Sequence, residues 1–148
     1  MSTTTVRPIR ASDEADWRRL WAGYCAFYKA DIAAEVTDAT WRRISSPVGA
    51  MFARIAEQDG KVVGMAVCTV HETSWRLEPS CYLEDLFVDP DVRGTGAGRA
   101  LIEDLIALCA EHRWTRLYWH TAEDNATARK LYDRFGGAGP FVRYRLSF

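Results

Sequence analysis

The stretch Cys81–His112, CYLEDLFVDPDVRGTGAGRALIEDLIALCAEH, decides the fold. It opens on Cys81 to Val88, a strand-like run that is apolar on both faces and interrupted only by Glu84 and Asp85. A strand apolar on both faces belongs inside a sheet covered on both sides. Asp89-Pro90 breaks the run, and Arg93-Gly94-Thr95-Gly96-Ala97-Gly98 follows. From there Ala97, Leu101, Leu105, Leu108 and Cys109 recur at helical spacing. The unit is therefore strand, glycine-rich turn, helix. Glycines admit a ligand close to the backbone, and a helix start offers unpaired N–H groups to an anion. The turn reads as a phosphate cradle, with the N–H groups of Gly94, Thr95, Gly96, Ala97, Gly98 and Arg99 turned toward the anion.

Two familiar cradles are excluded. The pattern G-x-G-x-x-G fails because, counted from Gly94, its last position is Arg99, and roughly 90 residues precede a loop that should close the first βα turn. No Gly-Lys-Ser/Thr is present either. What remains, Arg-x-x-Gly-x-Gly from Arg93 to Gly98, resembles the pyrophosphate loop of the GCN5-related N-acetyltransferases, the GNAT superfamily. The stretch YLEDLFV-DPDVRGTGAG is similar to the polyamine and thialysine acetyltransferase branch. RLWAGYCAFY, Tyr82 to Leu86 and LYWHTAEDNATARKLYDRFGG resemble the small Hpa-type acetyltransferases. The resemblance covers nearly the whole chain.

The chain of 148 residues is long enough to form one domain, residues 1–148, that buries about 70% of its unfolded surface. A formal net charge of −1 gives no argument for a nucleic-acid surface or an anionic membrane partner. Cys25, Cys68, Cys81 and Cys109 stand far apart in apolar runs, without Cys-x-x-Cys or a Cys/His cluster, so no metal site is expected. They read as reduced core thiols of a cytoplasmic protein. MSTTTVRPIR lacks an apolar signal core, and no long apolar span occurs, so neither secretion nor a membrane span is expected.

Val6 to Arg10 reads as a first strand. Ser12 is a candidate N-cap, with Asp13, Glu14 and Asp16 where the dipole favours acids. Trp17, Leu20, Trp21, Tyr24, Phe27, Tyr28 and Asp31 then follow at helical spacing. This stripe predicts core packing, with the turns from Tyr24 to Asp31 as a candidate wall of an acceptor pocket. Asp38 is read as the cap of a second helix, Ala39 to Ile44, ended by Ser46-Pro47. Met51 to Gln58 and Lys61 to Thr73 alternate as strands around Asp59-Gly60, a hairpin signal. Arg116 to Thr121 is a further strand. A helix from Asp124 or Asn125 runs through Phe135 and stops at Gly136-Gly137. Val142, Tyr144, Leu146 and Phe148 finally alternate with Arg143 and Arg145 as a last strand. The order β-α-α-β-β-β-α-β-α-β is mixed α/β. The resemblance implies a single-domain GNAT fold: a mostly antiparallel twisted sheet, flanked by helices and splayed open at the donor.

Moving an acetyl group from a thioester to an amine needs a bound thioester, a neutral amine and a proton for the departing thiolate. The cradle meets the first need, with Arg93 or Arg99 adding charge. By resemblance the donor is acetyl-CoA, the open backbone of Leu86, Phe87 and Val88 pairs with its pantetheine arm, and Asn125 contacts that arm. For the second need, an ammonium with pKa near 10.4 is nucleophilic in fewer than about one in a thousand copies at pH 7. Glu84 and Asp85 are acids in an otherwise apolar strand, and as neighbours they are expected on opposite faces. Each is either a base or the partner of a buried cation, and by resemblance to the polyamine branch Glu84 faces the substrate. By resemblance Tyr132 lies near the thioester sulfur as general acid; the other reading packs it on the sheet with Leu131 and Phe135. His71, His112 and His120 are isolated in sequence, with His120 a second-choice base.

The resulting expectation is an acetyl-CoA-dependent N-acetyltransferase acting directly on a primary amine, with no covalent enzyme species. Two alternatives are a non-catalytic acyl-CoA sensor and a nucleotide-binding regulatory domain. Asp31, Glu35, Asp38, Glu72, Glu78 and Glu84 are candidates for an acidic rim at the acceptor entrance, or equally a solvated face. The terminal alternating strand, with the resemblance, predicts a homodimer.

Overall fold

A computed structural model describes residues 3–148; Met1 and Ser2, the start of the segment read for a leader, lie outside it. Five strands form one sheet in chain order: β1 (Thr4–Pro8), β2 (Met51–Gln58), β3 (Lys61–His71), β4 (Ser80–Val88) and β5 (Leu117–Tyr118). β1 to β4 are antiparallel, and β5 lies parallel to β4. The β2–β3 turn has positive φ at both Asp59 and Gly60, the backbone that suits a two-residue hairpin.

Alternation along the strands makes two cores. Ala66 and Cys68 of β3, with Cys81 and Leu83 of β4, meet Ala97, Leu101 and Leu105 of α3 (Ala97–His112). Met65 and Val67, one residue out of phase, join Phe87 on the other face. There they meet Trp17 and Leu20 of α1 (Glu14–Phe27) and Ile44 of α2 (Ala34–Ser45). Burying each such side chain contributes about 1.5–3 kcal/mol, which is why β4 had to be apolar on both sides. A half-shielded Arg54–Asp104 pair, bonded at 2.7 and 2.9 Å, ties β2 to α3. Gly23 lets α1 pack tightly on β4: a Cβ there would sit 2.8 Å from the Phe87 ring.

The structure departs from the sequence reading at element ends. Ser12 lies inside a 3-10 turn, Ala11–Asp13, that precedes α1, and Asp13 is drawn back to Arg7 by two bonds of 2.7 and 2.8 Å. α1 stops at Phe27, so Asp31 falls in the connection. α2 starts at Ala34, ahead of Asp38, because Asp38 pairs with Arg18 at 2.8 Å and does not cap. β3 ends at His71, β5 keeps only two residues, and α4 spans Ala126–Tyr132. The run from Phe141 to Phe148 forms no strand: Phe141, Val142, Tyr144, Leu146 and Phe148 are at least 77% exposed. Alternation gives a strand its face, but this stretch has no partner edge within the chain to complete the ladder.

Candidate active site

β4 and β5 pair only at Cys81 with Leu117 and Tyr82 with Tyr118, and then diverge. Beyond Tyr82, the β5-facing edge of β4 has no strand beside it among the described residues. α3 and α4 flank the gap, and a cleft of about 780 Å³ opens there. Twelve of the residues singled out from sequence line it together: Leu86, Phe87 and Val88; Arg93, Gly94, Thr95, Gly96, Ala97, Gly98 and Arg99; Asn125 and Tyr132.

The cradle's shape follows from its glycines. Gly94 and Gly96 take φ of +82° and +92°, and an added Cβ at either would meet nothing within 4 Å. The positive φ, and not crowding, is what calls for glycine, and the space it leaves is open to a ligand. Gly96 sits at the N-cap of α3 without a side-chain cap, so the first-turn N–H groups are free of protein partners there. Thr95 anchors the loop, its hydroxyl donating to the Val92 carbonyl at 2.6 Å and accepting from Gln58 Nε2 at 2.8 Å.

The arginines are less free than the sequence suggested. Arg93 stacks over the rings of Phe27 and Phe87, 5.5 and 5.4 Å from their centroids, and its Nε donates to the Val88 carbonyl at 3.3 Å. Arg99 pairs with Glu103 at 2.8 Å on an exposed face, a contact worth roughly 0.3–0.5 kcal/mol. Lys130 and Arg134 also line the cleft and have no ion pair among the described residues. Sequence reasoning missed them, although two cations four residues apart, Lys130 on α4 and Arg134 just past its end, were a readable signal. Thr127 and Ala128 of α4 and Val92 were missed too, and Leu131 was read only as a packing neighbour of Tyr132.

Tyr132 stands edge-on to Trp119, with centroids 5.3 Å apart. Burial, aided by nearby Tyr28, pushes its phenol up to about 12, so it is protonated throughout the neutral range. Asn125 caps α4, its Oδ1 accepting from Ala128 N at 3.4 Å, while Nδ2 donates to Thr121 Oγ1. It thus lines the cleft and starts a helix at once.

The acid pair corrects the expectation of opposite faces. Val67 faces Asp85 while the next residue, Cys68, faces Leu83, so Glu84 is an extra residue in a β-bulge. A bulge re-aims the side chains beside it. Asp85 shares the face of Val67, toward α1. Glu84 accepts from Thr69 Oγ1 at 3.1 Å, and Thr69, two residues past Val67, is on that face as well. Both carboxylates therefore look toward the α1 side. Glu84 is exposed, whereas burial pushes Asp85 up to about 6, against a hydrogen bond from Tyr24 and with a further push from Glu84. Of the candidate rim acids, Asp38 is neutralised by Arg18. Phe27 and Tyr28, inside the aromatic stretch read as an acceptor wall, line the same cleft as the glycine turn.

Among the described residues no group of three His, Cys, Asp or Glu is placed to hold a metal ion, and no helix is long and apolar enough to cross a membrane. All four cysteines are free thiols.

Residues 12–137 match the model of the acetyltransferase (GNAT) family. The chain is 33% identical over 142 residues to the D-amino-acid N-acetyltransferase HPA3 of Saccharomyces cerevisiae, covering 95% of this chain and 88% of that one. It is 28% identical over 138 residues to the peptidyl-lysine N-acetyltransferase YjaB of Escherichia coli, covering 88% and 82%. Among solved structures, AAC(6')-Iy in complex with a CoA-containing bisubstrate analogue superposes with a TM-score of 0.81 at 19% identity, covering 99% and 100% of the two chains. A ribosomal-protein-alanine N-acetyltransferase from Brucella melitensis biovar Abortus 2308 gives 0.78 at 21% identity, with the same coverage.

Proposed function

The chain belongs to the acetyltransferase (GNAT) family and is an N-acetyltransferase, and on that premise we propose how its own residues move acetyl from acetyl-CoA to a primary amine. The observation that carries the reading is the cleft in which a left-handed glycine turn, an unpaired strand edge and a buried phenol converge. Pyrophosphate lies against the N–H groups from Gly94 to Arg99, where the α3 dipole adds about 0.3–1 kcal/mol. The pantetheine amides pair with Leu86, Phe87 and Val88 as an added strand, and Asn125 meets the same arm. Arg93 leaves the Val88 carbonyl as the arm arrives.

The acceptor enters on the α1 side of β4, where Glu84 and Asp85 attract its ammonium and take its proton. The neutral amine attacks the thioester carbonyl directly, and the tetrahedral species collapses with expulsion of thiolate. Tyr132 then protonates the sulfur. A phenol near 12 facing a thiol near 8.5 makes that transfer uphill by about 5 kcal/mol in isolation, and the same dry cleft that raises the phenol also raises the thiol. The acceptor class is an amine on a small molecule or a basic side chain, as in the relatives that act on D-amino acids and peptidyl lysine.

Two further features belong to this reading. The exposed apolar residues from Phe141 to Phe148 cover themselves by docking on a second copy, making a homodimer. The unpaired thiols suit a reducing, cytoplasmic setting. A free-thiol assay with acetyl-CoA and a panel of D-amino acids, lysine peptides and polyamines tests the function. Release of CoA that depends on one class of amine is the expected result. Tight acetyl-CoA binding with no amine-dependent turnover would instead leave a sensor.

A further inference from the structure

Charge is spread unevenly over this chain. It carries 19 Lys and Arg against 20 Asp and Glu. Yet among the described residues the cleft wall holds Arg93, Arg99, Lys130 and Arg134 and no carboxylate. Two of these cations are already engaged. Arg93 lies on the Phe27 and Phe87 rings with its Nε on the Val88 carbonyl, and Arg99 pairs with Glu103. Lys130 and Arg134 have no ion pair and no side-chain hydrogen bond among the described residues. Their neighbours in sequence do not neutralise them. Arg129 donates to the Glu123 carbonyl at 2.7 Å, and Asp133 lines a separate hollow beside Leu117 and Tyr118 of β5, not the cleft.

α4 carries the two free cations to the glycine turn. Thr127, Lys130, Leu131 and Arg134 recur at three- and four-residue spacing, so one stripe of α4 and of the turn after it lines the cleft. Leu131 marks the approach: a Cβ added at Gly98, in the first turn of α3, would lie 3.4 Å from its Cδ2. Lys130 and Arg134 therefore flank, in sequence, the side chain that meets the glycine turn.

Acetyl-CoA carries phosphate in two places. The pyrophosphate suits the N–H groups of the turn, whose helix start supplies only partial charge. The 3′-phosphate on the ribose is a monoester, close to dianionic at pH 7, with three strong acceptor oxygens. Full cations match such a group, Arg through its fork of donors and Lys as a point charge. We propose that Lys130 and Arg134 hold the 3′-phosphate of the donor, so that the protein selects acetyl-CoA over acetyl donors that lack it. The inference rests on the placement of pyrophosphate against Gly94 to Arg99 given above. The two side chains meet no reacting atom in this arrangement; they set the affinity and choice of donor and leave the chemical step to other residues.

The test reads affinity by calorimetry, apart from turnover. The wild-type protein should bind acetyl-CoA roughly ten- to a hundredfold more tightly than acetyl-3′-dephospho-CoA, the range that charge-assisted hydrogen bonds supply. With Lys130→Gln and Arg134→Gln combined, acetyl-CoA should fall to the level of the dephospho donor. The dephospho donor itself should keep its affinity within a factor of about three. Both residues are exposed, so this variant should melt with the parent. Added salt should narrow the wild-type preference, because exposed charges are screened. Equal binding of the two donors by the wild type, or a preference that survives the double substitution, would overturn the inference and leave the donor's placement standing. So would an equal fall for both donors, the mark of general charge attraction. Gly96→Val should lose both donors together; a wild type that bound neither would defeat the placement of acetyl-CoA itself, and this inference with it.

Discussion

Asp85 is costly to the fold and, in the proposed function, useful to the reaction. With its carboxyl raised from 3.8 to about 6, the folded state holds a proton that the unfolded chain would release. Its contribution to stability is therefore present below pH 3.8 and lost as pH rises through about 6. The full shift corresponds to about 3 kcal/mol, less in practice because the group is only half buried and solvent screens it. Asp85→Asn keeps an oxygen for the Tyr24 hydroxyl and removes the charge. Its melting temperature should match the parent near pH 4 and exceed it increasingly toward pH 7, read by thermal denaturation at each pH; a variant less stable than the parent at pH 7 would contradict this. If Asp85 takes the proton, its loss should also remove a rise in kcat/KM centred near pH 6, whereas Glu84→Gln should leave that rise in place. Tyr132 is the other residue that burial tunes. Tyr132→Phe should lower kcat by roughly 10²–10⁴-fold while acetyl-CoA affinity, measured by calorimetry, stays within a factor of a few.

At the scale of elements, the strand–turn–helix unit from β4 to α3 does two jobs with one backbone. β4 supplies the central strand of both cores, and its divergence from β5 after Tyr82 exposes the edge on which we propose the donor lies. The bulge at Glu84 turns both acids toward the α1 side of the sheet, at the cost of one interrupted ladder position. The glycine turn is specified by φ and not by crowding, which sharpens its test. Gly96→Val should lose the thermal shift given by acetyl-CoA, which is about 2.7 kcal/mol at a hundredfold excess over Kd. It should also lower the melting temperature without ligand, because a β-branched residue at φ +92° costs about 1–2 kcal/mol. An undiminished acetyl-CoA shift in that variant would place the cofactor elsewhere.

For the whole molecule, the notable imbalance is at the end of the chain. The two cores are closed by α1, α2 and α3, while Phe141, Val142, Tyr144, Leu146 and Phe148 present their surface to solvent. Alternation from Val142 to Phe148 is a pattern made for a sheet edge, and β5 with two residues leaves such an edge short. Sedimentation at micromolar concentration should therefore find a species of twice 16.8 kDa, and removal of residues 141–148 should return it to the monomer mass. A monomer before deletion, or a dimer that survives it, would move the interface away from this segment.

Much of this molecule was decided locally. The hairpin at Asp59-Gly60, the double-faced β4, the glycine turn and the helix after it depend on φ preferences and on periodicity within a dozen residues, and such signals survive in a bare sequence. Twelve cleft-lining residues were legible for the same reason, since they sit in three short segments whose motif fixes their neighbours. What the chain's order could not say is how distant segments meet. Glu84 and Asp85 share a face because one residue of β4 finds no opposite number on β3, a mismatch between two strands that neither strand contains alone. Arg93 lies on aromatic rings because α1 ends where it does, and His120 meets Tyr82 because β5 runs parallel to β4 for only two residues. Propensity and pattern act along the chain. Register, splay and the raised carboxyl of Asp85 arise only from burial against partners brought from far away in sequence.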